Sequence, residues 1–146
     1  MEDIKIIAIA CDHAGYNTKE DLKKYLTVKG FELKDYGCFS DKSVDYADFA
    51  HPMAASVEKG EADIGISLCG SGNGINMTVN KHQGIRSALC WNAEIAKLAM
   101  EHNNANVCAI PARFVTVEQA KDIIDAFVTA KFVGGRHIKR INKIPL

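Results

Sequence analysis

A chain of 146 residues, 47% hydrophobic and 25% charged, has the makeup of one globular domain with a sizeable core, and a single unit over 1–146 is expected. Eighteen basic residues balance eighteen acidic ones, which excludes a general electrostatic grip on nucleic acid or an anionic membrane and leaves any anion site to local chemistry. No stretch approaches the ~18 apolar residues of a membrane span, and the opening MEDIKIIAIACDHAG is too acidic and too short in its apolar run for a signal peptide, so a cytoplasmic location is expected.

The first element is IKIIAIAC (4–11), a continuous apolar run with β-branched residues, as a strand covered on both faces should read. Residues 16–29 place Leu22, Tyr25 and Leu26 on one helical stripe and end at Gly30, a C-terminal breaker. FELKDYG (31–37) follows as a second strand. In 45–59 the stripe is Phe49, Met53, Ala54 and Val57, and Pro52 places the start of regular helix near itself, with 45–51 a lead-in loop. DIGISLC (63–69) is a third strand, and a helix is expected over 73–81. GIRSALCW (84–91), an apolar helix over 92–102 and the strand NVCAI (106–110) come next. The helix at 116–130 has a capping-box signature, Thr116 with Gln119, and keeps Val117, Ala120, Ile124, Phe127 and Val128 on one face.

Strands alternating with helices imply a three-layer αβα, Rossmann-like fold: a five-stranded parallel sheet with helices on both faces and a C-terminal helical tail. The flavodoxin-like strand order 2-1-3-4-5 is expected, and it opens a crevice between the carboxyl ends of strands one and three. The loops there are CDHAG and CGSGNG.

CGSGNG carries the densest signal. Gly70, Gly72 and Gly74 bracket Ser71 and Asn73 between a buried strand and a helix, where main-chain N–H groups can meet an anion or a developing oxyanion. It lacks the GxGxxG frame of a dinucleotide site, and a tight ligand-free turn is the plain alternative. Cys69 opens the loop; strand-end cysteines are commonly inert packing, but a thiol in a polar crevice at a helix start is placed for proton transfer. The five cysteines (11, 38, 69, 90 and 108) share no CxxC spacing, so free thiols are expected, with the other four structural. Asp12 and His13 project from the end of strand one, able to cap a helix or to bind phosphate and move protons. His102 in EHNNAN is either a solvated helix end or a second acid–base group. In GGRHIKRINKI, Arg136 and Arg140 share a helical face suited to gripping a phosphate, or form a solvated basic tail; Arg113 adds a third charge. His13, Cys69 and His102 have no paired ligand spacing, so no metal is expected.

CDHAGYNTK, DYADFA, CGSGNGI, NKHQGIRSALC, EHNNANV and GGRHIKRI together resemble the ribose-5-phosphate isomerase B family, in register from about residue 4 to 141. The resemblance implies aldose–ketose isomerisation of a phosphorylated sugar through an enediolate, with no cofactor and no metal. It also implies a homodimer or homotetramer with active sites shared between subunits. By position, Cys69 resembles the base that moves the C2 proton; a second subgroup has glutamate where this chain has Ile75, which cannot be a base. Ser71 matches a hydroxyl that shuttles a proton between O1 and O2, and the N–H groups of Gly70 to Gly74 match an enediolate hole. His102 with Asp12 resembles the ring-opening pair. His13, Arg113, Arg136 and Arg140 match phosphate ligands, and Tyr46, Asn103 and His137 match other lining positions. Ala47, Pro111 and the stretch NMTVNK depart from the common pattern, which bears on substrate preference.

Ribose 5-phosphate is the expected substrate. A six-carbon aldose 6-phosphate, of allose or galactose, is the alternative within the same chemistry. A non-catalytic phosphate-binding module would leave Cys69, Asp12 and His102 without a task, and a thiol-redox protein wants a resolving cysteine.

Overall fold

The structure, a computed structural model, describes residues 3–146. Its sheet is built from β1 (Ile6–Cys11), β2 (Glu32–Asp35), β3 (Ile64–Cys69), β4 (Ser87–Leu89) and β5 (Val107–Pro111). The helices between and after them are α1 (Tyr16–Val28), α2 (Tyr46–Glu58), α3 (Asn73–Val79), α4 (Ala93–Asn103), α5 (Val117–Thr129) and α6 (Arg136–Ile141). Every strand pairing is parallel. Among the described residues no helix is long and apolar enough to cross a membrane.

Period-two alternation sorts the strands between two cores. Ile7, Ile9 and Cys11 of β1, Ile64, Ile66 and Leu68 of β3, and Cys108 and Ile110 of β5 meet Leu22 and Leu26 of α1, Met100 of α4 and Ile123, Ile124 and Phe127 of α5. Ala8, Ala10, Cys69, Val107 and Ala109 face the other way, onto Met53, Ala54 and Val57 of α2 and Ile75 and Val79 of α3. Burial on both sides is what the continuous apolar runs demanded. The cap at α5 is also present: Thr116 Oγ1 accepts from Gln119 N–H while Gln119 Oε1 accepts from Thr116 N–H.

Two expectations are corrected. The strand order is β2-β1-β3-β5-β4, not 2-1-3-4-5. β5 is buried at every position, whereas the three residues of β4 are each half-buried, so the wholly apolar strand takes the interior place and the short one takes the edge. Helix α2 starts at Tyr46, with Pro52 inside it rather than near its start. Pro52 removes one N–H, but it and Asp48, whose carbonyl loses that bond, are both exposed, so water can serve the carbonyl. Burial of Ala50 in the early turns holds them in register.

Candidate active site

The switch from leftward to rightward chain progression falls between β1 and β3, where a crevice at the carboxyl ends of the strands is expected. Cys69 ends β3 there, registered beside Pro111 of β5, and its residue is 4% exposed on the α2/α3 side of the sheet. Its carbonyl accepts from Ala112 N–H at 2.9 Å and that of Gly70 accepts from Arg113 N–H at 3.0 Å, so the loops after β3 and β5 are laced together.

Glycine is required in this loop for space. A methyl group on Gly70 would lie 3.1 Å from Nη1 of Arg113, so the guanidinium rests directly over the main chain. One on Gly74 would collide with the Tyr46 ring, which brings that side chain against the start of α3. Gly72 adopts φ 76°, the left-handed region that turns the strand into the helix. Asn73 N–H donates to Ser71 Oγ at 3.2 Å, so this amide and hydroxyl are already engaged with each other. The N–H groups of Gly70, Ser71, Gly72 and Gly74 meet no protein acceptor among the described residues. They form a set of open donors on the loop that Cys69 begins.

Asp12 and His13 flank this loop. Asp12 is 6% exposed; its N–H donates to the Leu68 carbonyl at 3.1 Å, and its Oδ1 accepts from Ala14 N–H at 3.0 Å, capping the short 3-10 turn His13–Gly15. The other carboxylate oxygen remains for the crevice. His13 Nδ1 accepts from Val44 N–H at 3.2 Å, which leaves Nε2 to carry the proton in the neutral ring. Burial pushes the Cys11 thiol, next to Asp12, well above the ordinary thiol range, and Cys38, with Sγ at 3.8 Å, pushes the same way. Cys108 is likewise raised by its contact with Cys90 and by burial. All five cysteines are free and buried, and among the described residues no group of three or more His, Cys, Asp or Glu could hold a metal ion.

His102 and Asn103 lie elsewhere. They end α4, which runs back from the carboxyl end of β4 to the amino end of β5, about 16 Å for its 11 residues. The Asn103 and Asn104 carbonyls accept from Arg86, which immediately precedes β4. The tail joins them: Val133 N–H donates to the Glu101 carbonyl at 2.9 Å, and His137 at the start of α6 stacks on His102 with ring centroids 4.4 Å apart. Burial holds the His137 imidazole below its ordinary range, and His102, Arg136 and Arg140 add to the depression. Arg136 and Arg140 extend from the same helix into solvent. A cavity of about 410 Å³ lined by Arg86, Ser87, Asn103 and Ile144 opens at this end. Within one chain, then, the expected pairing of His102 with Asp12 is not formed. Cys69, Asp12, His13, Tyr46, the glycine loop and Arg113 gather at one end of the sheet, and His102, Asn103, Arg136, His137 and Arg140 at the other.

A family profile described as Ribose/Galactose Isomerase matches residues 7–144. The chain belongs to this family. It is 40% identical to ribose-5-phosphate isomerase B of Escherichia coli over 97% of this chain and 95% of that one. A probable ribose-5-phosphate isomerase B of Mycoplasma genitalium is 42% identical, over 94% and 92%. Among solved structures, a ribose 5-phosphate isomerase of Thermotoga maritima superposes with TM-score 0.95 at 47% identity, covering 97% of each chain. The Mycoplasma genitalium enzyme with bound ribulose-5-phosphate superposes with TM-score 0.92 at 41% identity, covering 98% of this chain and 95% of that one.

Sequence reading did not single out Lys19 of α1 or Asp35 at the end of β2, which are paired at 2.7 and 2.8 Å. The available signal was a lysine in helical phase with Leu22 and Leu26, on the face that packs inward.

Proposed function

We propose that this chain interconverts ribose 5-phosphate and ribulose 5-phosphate, with Cys69 as the base. The observation that carries the reading is the meeting of a thiol with four open main-chain donors at the carboxyl end of β3, in a chain of an isomerase family. The thiolate takes the proton from C2, the C2–H electron pair forms the C1–C2 double bond, and the carbonyl π electrons move onto O1. Donors aimed at that oxygen stabilise the enediolate; this is the kind of interaction that contributes most to such steps. Returning a proton to C1 while the O2 proton leaves gives the ketose, with Ser71 as the hydroxyl between the two oxygens. Nothing is gained or lost overall, so the reading calls on no cofactor.

The division of site residues between two ends of the sheet supports a site completed by a second copy. In that arrangement His102 of one chain, with Asn103 and His137, meets Asp12 and the sugar ring at the other chain's Cys69. Arg136 and Arg140 join Arg113 and His13 on the phosphate, where guanidinium pairs give bidentate grip. A homodimer is the smallest assembly that does this, and a dimer of dimers keeps it. Five free thiols suit a reducing compartment, and the cytoplasm is the proposed location.

The test is ketose formation from ribose 5-phosphate in the presence of a chelator, beside parallel reactions with allose 6-phosphate and galactose 6-phosphate. Turnover of the pentose well above that of both hexoses is expected. Turnover of a hexose alone would replace the substrate, and turnover of none would remove the enzymatic reading.

A further inference from the structure

Lys19 is among the largest fully buried side chains, at 0% exposure, and it closes the first turn of α1. Burying an ammonium costs several kcal/mol unless partners surround it, and here they do. Nζ donates to Asp35 Oδ1 at 2.8 Å, to Asp35 Oδ2 at 2.7 Å and to Glu20 Oε2 at 3.1 Å. The rings of Tyr16 and Phe39 cover it with centroids at 5.7 and 5.4 Å. A stability role alone would be served as well by an apolar side chain of the same volume, so what the pair touches is informative.

Asp35 ends β2 and starts the loop leading to α2. Its Oδ1 also accepts from Gly37 N–H at 2.9 Å. Gly37 and Cys38 then pair with the last residue of β1: Cys11 N–H donates to the Gly37 carbonyl at 2.6 Å, and Cys38 N–H to the Cys11 carbonyl at 2.9 Å. The far end of the same loop returns to β1's successor, where Val44 N–H donates to His13 Nδ1. Lys23, half-buried, reaches Asp35 Oδ2 at 2.7 Å as well, while fully buried Lys19 bonds both carboxylate oxygens; Lys19 with Asp35 therefore anchors one end of a loop whose other end fixes the ring nitrogen of His13.

We propose that Lys19 is a positioning residue: through Asp35 and the 36–44 loop it holds His13 with its proton on Nε2, facing the substrate. This rests on the reading of His13 as a substrate contact. The test is Lys19→Met, which keeps the length and apolar stem and removes the charge. Should the single variant fail to fold, Lys19→Met with Asp35→Asn removes both charges of the pair; Lys23 loses its Asp35 contact with them and keeps Glu20. The tautomer of His13 is read by nitrogen-15 NMR of histidine-labelled protein. Wild type is expected to give the Nε2–H form, and the folded variant a mixture of both tautomers together with a KM for ribose 5-phosphate raised about tenfold and kcat changed far less, as for loss of one oriented hydrogen bond. A folded variant that keeps the pure Nε2–H form overturns the proposal. His13→Ala separates the two layers: an unchanged KM in that variant removes the substrate-contact reading, while the tautomer measurement still decides the role of Lys19.

Discussion

Gly72→Ala is the sharpest probe of the loop that carries the proposed chemistry. The residue sits at φ 76°, and a Cβ there would collide with Leu89 Cδ1 and lie 3.2 Å from Pro111 N and 3.3 Å from the Ile110 carbonyl carbon. The left-handed conformation costs an alanine ~1–2 kcal/mol. Leu89 can rotate away, but Pro111 and Ile110 are main chain of β5, so the loop itself must move, an overpacking cost of ~1–3 kcal/mol. The sum, ~2–5 kcal/mol, is a large part of the stability of a domain this size. A shift of about 1 Å in the donors costs ~10²-fold in rate. Gly60→Ala is the matched control, because Gly60 has φ 75° and open space around its Cβ position. Urea unfolding should show Gly60→Ala losing only the conformational part, ~1–2 kcal/mol, with kcat unchanged, and Gly72→Ala losing more, with kcat down ~100-fold. Equal losses in the two variants, with activity intact in both, would refute the packing argument.

Two further predictions address assembly and acid stability. A mixture of Cys69→Ala and His102→Ala chains, unfolded and refolded together, should regain about a quarter of wild-type activity, since half the dimers are mixed and each of those has one complete site; a mixture as inactive as its components would place both residues in one chain's own site. Glu58 accepts from Gly84 N–H at 2.9 Å and from His82 Nδ1 at 2.8 Å, and these hold its carboxyl below the ordinary value of 4.5. A depressed folded-state pKa contributes stability that is complete above about 4.5 and lost as pH falls through the folded value. Glu58→Gln should therefore flatten part of the fall in urea midpoint below pH ~4.5, and identical acid profiles for wild type and variant would contradict the assignment.

Much of this architecture is legible in the chain because its causes are local. The runs IKIIAIAC and NVCAI are apolar at every position, so they mark strands with two covered faces, and Thr116 with Gln119 marks a helix start to within a residue. The glycine spacing after Cys69 likewise announces a backbone surface. What a linear reading misses depends on comparison between elements. That β5 lies inside β4 follows from which of two strands buries more completely, and Pro52 is tolerated only because Asp48 faces solvent. Lys19 looks like any helical lysine until Asp35 is found beside it across 16 residues of chain. The separation of His102 from Asp12 is topological: α4 must run back to the amino end of β5 before the chain can enter that strand, which carries its last turn away from Cys69.

The central claim is that the Cys69 thiolate removes the C2 hydrogen, and hydrogen exchange at that carbon in deuterated water measures the step directly. Wild-type protein should place deuterium at C2 of ribose 5-phosphate as it equilibrates the two sugars. Cys69→Ala should slow that exchange by ~10²–10⁴-fold while still binding the sugar phosphate. Exchange at the wild-type rate in Cys69→Ala would assign the proton transfer to another group and contradict the account.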